Sequence, residues 1–269
     1  MKILSKITPA ETLLIQDGFF VEFKDLMKFT FIDLLLKKII KIKEVHQKPH
    51  PRDKHIRTYT YVTSGKNFKK YKPKNHELIY LSPFNKNRSL QILFKNFIKM
   101  AYDNSNGSWS YKKLTRSNIE INPYFKQTSL LNLFRINKLT AKGVKLKKGI
   151  TNYLNTIDNN INHLLHEDKK KGLELLLSIG GNIFLLENLD FQLLKTIDKE
   201  LLNQQKVLYN DTYNTDSDWW LYIGFFEDQY MFDSYFDDFD ATLNSFNSEF
   251  DSSSCSSCDS GCSSCGGCD

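Results

Sequence analysis

Five cysteines stand in the last fifteen residues of this 269-residue chain, Cys255, Cys258, Cys262, Cys265 and Cys268, and no other cysteine precedes them. Their spacings of three, four, three and three make a soft-ligand cluster, and four thiolates suffice to hold zinc or copper(I). A folded zinc site usually sets its ligand pairs farther apart, with core residues between them, whereas little but Ser and Gly fills the gaps here. The same thiols suit covalent modification by another enzyme. Cys258, Cys262 and Cys265 match the three-cysteine spacing of radical enzymes that use S-adenosylmethionine. That motif opens a long barrel domain, and only four residues follow it here, so it is set aside. A body without cysteine excludes a disulfide-stapled domain and a catalytic thiol inside the fold.

A second group is basic. Lys41, Lys43, Arg52 and Lys54, with Lys48 and Arg57, fall on an expected hairpin, and a connector holding Lys66, Lys69, Lys70, Lys72 and Lys74 with Phe68 and Tyr71 follows. Such a run can track a phosphate backbone. The preceding segment, residues 31–38, offers almost none of the Arg, Asn, Gln or Ser that reads bases, so any nucleic-acid contact is expected to ignore sequence. His46, His50 and His55 share the hairpin loop without a completing ligand set and read as a solvated basic loop; His163 and His166 beside Glu167 read as a solvated helix face. No Gly-rich phosphate loop with a following Lys, no HExxH and no nucleophile elbow occurs. Gly180-Gly181 reads as a helix break. The expectation is a protein that is not an enzyme.

Charge divides the chain. Residues 1–206 carry all 37 basic groups against 18 of the 31 acidic ones, a balance of +19, while the last 63 residues carry −13. That split predicts an acidic arm that folds onto the basic body or competes with an acidic partner for it. No apolar run reaches the length of a membrane span, and no apolar stretch follows Met1–Lys6 as a secretory signal requires; a cytoplasmic location is expected.

The elements that must position these residues begin at Thr8-Pro9-Ala10-Glu11, a capping box with Pro at the first helical position, and Gly18 ends that helix. A short helix over 22–27 and a third over 31–38, capped by Thr30, precede alternating runs at 39–45 and 56–62. Three helices and a hairpin make a winged-helix-like unit. An amphipathic helix over 89–102 is followed by one starting at Asn122-Pro123 and running through Leu130, Leu131 and Phe134. Thr140 caps a longer helix with a stripe of Ile150, Leu154, Ile157, Ile161 and Leu164. A helix from about Lys171 breaks at Gly180-Gly181, and another covers 189–202. Phe232, Phe236, Phe239, Leu243, Phe246 and Phe250 recur at helical spacing, which predicts one apolar helix face docked on the body. Beyond Phe250 only Asp, Ser, Cys and Gly remain, a composition that cannot build a core and predicts disorder.

Leu139-Thr140-Ala141-Lys142-Gly143, followed by Leu146, Ile150, Tyr153 and Leu154, resembles a segment of uncharacterised bacterial membrane proteins that also end in an aromatic-acidic region and a Ser/Gly tail. The Thr8-Pro9 opening and the Cys/Gly-rich ending resemble a related uncharacterised bacterial family with Gly/Cys-rich C-termini. This second resemblance implies a genomic association with iron-dependent oxidases that modify cysteine-containing peptides.

The chain is therefore expected to be mainly α with small β-hairpins. Its divisions are a winged-helix-like unit (1–80), a helical domain (81–206), an acidic aromatic arm (207–250) and a disordered tail (251–269). The leading function is a scaffold that presents the tail to a peptide-modifying enzyme or a soft metal ion. The alternative is a winged-helix nucleic-acid or protein-binding module regulated by the acidic arm.

Overall fold

The computed structural model describes residues 1–50, 52, 54–126, 138–190, 193 and 239–256. It is mainly helical, with one small antiparallel sheet. Helix α1 (Pro9–Asp17) begins as its sequence dictates: Thr8 Oγ1 accepts from the Glu11 N–H at 3.3 Å, and the Glu11 carboxylate accepts from the Thr8 N–H at 2.8 Å. It ends at Gly18, whose φ of 59° suits a residue without Cβ.

Helix α2 (Phe23–Leu36) replaces the two short helices expected over 22–38. Thr30 does not cap a new helix. It lies buried in mid-helix, where its hydroxyl donates to Leu26 O at 2.9 Å and accepts from Tyr111 OH at 2.8 Å. Satisfied in this way, the hydroxyl has no reason to break the turn. Residues 30–36 are buried on every side, so α2 is the central helix. It closes with Lys38 in the left-handed region (φ 54°), Lys38 N–H bonding Leu35 O and Ile39 N–H bonding Leu34 O.

Strand β1 (Ile40–Gln47) pairs antiparallel with β2 (Arg57–Ser64), from Ile40 opposite Ser64 to Gln47 opposite Arg57. Strand β3 (Gln91–Leu93) joins the other edge of β2, placing Thr63 opposite Gln91 and Tyr61 opposite Leu93. The helix expected over 89–102 therefore starts late, as α4 (Phe94–Asn104), because the free edge of β2 captures its first residues as a strand.

Two helices not anticipated flank α4. They are α3 (Leu78–Lys86) and α5 (Gly107–Arg116). Pro83 inside α3 lacks the N–H that would bond Ile79 O, and Asn104 Nδ2 supplies a donor there at 3.4 Å. The 80/81 division expected from sequence falls within α3, where Tyr80 and Leu81 are both buried.

The start expected at Asn122-Pro123 is a single 3-10 turn, after which Phe125 bridges to Leu139; Leu130, Leu131 and Phe134 lie outside the described residues. Helix α6 (Ala141–Glu167) is capped by Thr140 as expected, but Leu165 rather than Leu164 completes its buried stripe. Helix α7 (Lys169–Ile179) gives way at Gly180 (φ 55°) to a 3-10 turn. Buried Asn182 in that turn is bonded by Thr12 Oγ1 at 2.6 Å and donates to Leu4 O and Ile179 O, both at 2.9 Å, tying the chain's opening to this turn.

Helix α8 (Phe239–Ser256) packs on α4 and α2. Of the phenylalanine stripe, Phe232 and Phe236 lie outside the described residues. The part from Leu243 to Phe250 is helical and docked as expected: Phe246 and Phe250 belong to the same buried core as Leu4, Phe31 and Ile150. The expected start of disorder at 251 is corrected, because α8 continues to Ser256. Ser252 and Ser253 return their hydroxyls to Ser248 O and Glu249 O at 2.9 and 2.7 Å, which lets a serine-rich turn remain helical. No helix among the described residues is long and apolar enough to cross a membrane.

Candidate functional site

The cysteine tail leaves the body from an anchored helix. Phe246 is fully buried, stacked on Phe31 with centroids 5.5 Å apart. Phe250 meets Phe23 and Tyr102 edge-on at 5.4 and 5.3 Å. At the next residue, Lys24 Nζ reaches both oxygens of Asp251 at 2.9 and 2.7 Å. This pair is solvent-exposed and contributes at most about 1 kcal/mol, so it orients the end of the helix more than it holds it. Cys255 is the last residue but one of α8. Cys258, Cys262, Cys265 and Cys268 lie outside the described residues. Among the described residues no group of three or more His, Cys, Asp or Glu side chains is placed to hold a metal.

The basic hairpin is folded as expected, and its register sorts the side chains. Ile40, Ile42, Val62 and Ile92 share the face packed against the core. Lys41, Lys43, Val45 and Gln47 share the opposite face with Tyr59, Tyr61 and Leu93. Glu44 lies on the core-side face. Arg52 and Lys54 are exposed in the connecting loop. Of the three histidines expected in the loop, His46 lies instead in β1, its Nδ1 2.8 Å from Thr58 Oγ1 across the strands, and His50 Nδ1 accepts from the Arg52 N–H at 3.2 Å. Sequence reasoning found the lysines and missed the two tyrosines, although their alternation in the run 57–64 was the available signal.

The lysine connector is not the open basic ribbon expected. Phe68 is buried against Phe84, and Tyr71 donates to Glu77 Oε1 at 2.6 Å with Lys37 Nζ 5.5 Å above its ring. Lys74 turns inward to Glu11 Oε2 at 2.7 Å and to Lys6 O at 2.9 Å. These aromatics and Lys74 are committed to the interior.

There they join a polar cluster that sequence reasoning did not anticipate. Glu11 accepts from Thr8 N–H, from Lys74 and, at 2.6 Å, from Asn118 Nδ2. Burial alone would raise its carboxyl, but the charges of Lys74 and His76 and the hydrogen bonds from Lys74 and the Thr8 N–H outweigh that and lower it. His76 is fully buried, with Nε2 3.4 Å from Thr8 Oγ1 and Nδ1 lacking a partner. Burial lowers its pKa despite the neighbouring carboxylates of Glu11 and Glu77. Asp33 of α2 and Lys37, which caps that helix, form a buried pair at 2.7 Å. Tyr111 is raised well above an ordinary phenol by burial. The capping acid of α1 is thus also the carboxylate that holds the connector to the body. The cluster's hydrogen bonds bind α1, α2, α5 and the connector together, and the arrangement is a structural tie.

Compared with protein-family profiles, with curated proteins and with solved structures, the chain finds no match in any of the three. The resemblance drawn from its opening and its ending stands on those residues alone.

Proposed function

We propose that this chain is a non-enzymatic scaffold whose helical body presents a cysteine-rich tail to a peptide-modifying enzyme or to a soft metal ion. The observation that carries the reading is the seat of α8. Two buried phenylalanines and an ion pair fasten a helix that ends one residue past Cys255. The backbone of the first cysteine therefore belongs to α8, and the other four cysteines follow within thirteen residues. A random-coil chain of the thirteen residues after Ser256 has a reach of about 20 Å. That is less than the full 19-residue segment would have, and still enough to enter another protein's active site. The resemblance to a family with Gly/Cys-rich endings supports an iron-dependent oxidase as the modifying partner, and the four or five thiols support zinc or copper(I) as the metal. Residues 9–64 keep a helix-then-hairpin order with one helix fewer than the three expected of a winged-helix-like unit, because α2 spans two of them.

Intact mass of the protein from its native host tests the reading. The expected result is a mass shift confined to residues 251–269, or bound zinc or copper(I). Either is lost when all five cysteines become Ser, with the melting temperature of the body unchanged. Thiolates rather than thiols bind the metal, so its affinity is expected to strengthen as pH rises toward the ordinary thiol range near 8.5. Five unmodified thiols, with metal affinity no better than that of a scrambled Ser/Cys/Gly peptide, end the proposal.

A further inference from the structure

The outward face of the three-stranded sheet carries a second, independent site. Antiparallel partners place Lys43 beside Tyr61 and Val45 beside Tyr59, with Lys41 at the near end and Leu93 next to Tyr61 on the third strand. The core takes Ile40, Ile42, Val62 and Ile92 from the other face, and Tyr59, Tyr61 and Leu93 are not among the side chains packed against it. Lys41 and Lys43 are exposed and the two rings are half-exposed, while Glu44, the carboxylate of these strands, lies on the face turned away. Arg52 and Lys54 extend the positive charge past the distal end of the hairpin.

We propose that this face binds single-stranded nucleic acid, with Tyr59 and Tyr61 stacking on bases and Lys41, Lys43, Arg52 and Lys54 meeting phosphates. Cationic side chains alternating with aromatic ones on an open sheet are the two components of sequence-tolerant single-strand binding. Geometry selects single strands over duplex. Residues two apart on a strand are about 6.8 Å apart, twice the 3.4 Å per nucleotide of a duplex strand. Two rings at that separation suit bases pulled out of a stack, and bases paired within a duplex are closed to them. The element preceding the hairpin does not compete for the role. The last two turns of α2 are buried, and Asp33 and Lys37 there are paired with each other, so α2 has no base-reading face. This site is separate from the tail and stands whether or not the cysteines are modified.

The test uses the full chain, because the acidic aromatic residues 207–238 are a competitor of matching chemistry. Fluorescence anisotropy is measured with labelled 12-nucleotide single strands of DNA and RNA and with a duplex of the same length, across a salt series. Single strands are expected to bind more tightly than duplex, with affinity falling as salt rises. Tyr59→Leu with Tyr61→Leu keeps apolar area and removes stacking, and is expected to weaken single-strand binding at least about tenfold. The Tyr→Phe pair is expected to retain it. Lys41→Glu with Lys43→Glu is expected to weaken binding and flatten the log–log salt slope by about 1.4, the share of two phosphates. Circular dichroism melts confirm that each variant folds, and the exposed lysine pair keeps the test open if the tyrosine pair does not. Absence of binding at low salt, including through occupation of the face by the chain's own acidic arm, overturns the proposal. So does binding that favours duplex, or that both pairs of substitutions leave unchanged.

Discussion

Removing the two rings that seat α8 should release the helix as a unit, and the loss should saturate. Phe246 is fully buried, which accounts for about 1.5–3 kcal/mol of transfer free energy. Its contacts with Phe31 at 5.5 Å and Phe250 at 6.1 Å add about 0.5–1.5 kcal/mol each. Phe246→Ala is therefore expected to cost about 3–5 kcal/mol, the usual range for a core phenylalanine. Phe250, 6% exposed and in edge contact with Phe23 and Tyr102, is expected to cost somewhat less. The two effects cannot simply add. Holding each helical residue in place costs about 1–2 kcal/mol of backbone entropy, so α8 stays docked only while the rings offset that cost. Once the helix lets go, the second substitution has nothing left to remove, and the double variant should fall short of the sum by 1 kcal/mol or more. Urea denaturation gives the free energies. A spin label on Cys255, with the other four cysteines changed to Ser, gives the state of the helix directly, since the body has no competing thiol. Its spectrum should sharpen to that of a mobile probe in the double variant. Additive losses with an unchanged, immobilised spectrum would refute the reasoning.

The buried polar cluster predicts acid sensitivity in two windows. The pKa of His76 is lowered from 6.5, so its contribution is present above that pH and is lost as pH falls below it; that of Glu11 is lowered from 4.5, and its contribution is lost as pH falls through the carboxylate range. Urea midpoints measured from pH 7.5 to 4 should decline in both windows, and His76→Gln should abolish the upper decline only. Gly65→Ala should destabilise by at least about 2 kcal/mol in a thermal melt, because a methyl there would overlap the carbonyl oxygen of Lys38, a backbone atom already fixed by the Asn67 N–H. Asn182→Leu should cost about 2–4 kcal/mol in the same assay, since it strands the buried carbonyls of Leu4 and Ile179. Lys24→Gln should change stability by less than about 1 kcal/mol, the ceiling for an exposed ion pair.

Where local chemistry decides the structure, the sequence could be read directly. The Thr8–Glu11 box, the Gly18 and Gly180 ends and the Thr140 cap all follow from residues within a few positions of one another. Leu243, Phe246 and Phe250 were legible because their spacing leaves a helix one apolar face. Positions settled by distant partners were not. Helix α5 buries Tyr111, Lys112, Thr115 and Arg116, a polar face with no apolar stripe to announce it. Thr30 looks like a cap until Tyr111, 81 residues away, supplies its second hydrogen bond. Lys74 and Glu11 look like surface charges because the ion pair that buries them spans 63 residues. Of the candidate sites, the cysteines and lysines were legible by type, whereas the side of the sheet shared by Lys43 and Tyr61 became visible only with the strand register.

The seat of α8 also sets a clock on the chain's own synthesis. Phe23, Phe31, Tyr102 and Tyr111 are all made before residue 112, yet the rings that cover part of this floor arrive at positions 246 and 250. At about 5–20 residues per second, the intervening chain takes roughly 7–30 s to emerge. During that interval the aromatic floor faces solvent, or whatever chaperone the cell provides. Closing a loop that joins Lys24 to Asp251, 227 residues apart, is necessarily a late event in folding. The helix that carries the first cysteine therefore leaves this aromatic floor uncovered until the last part of the chain has been made.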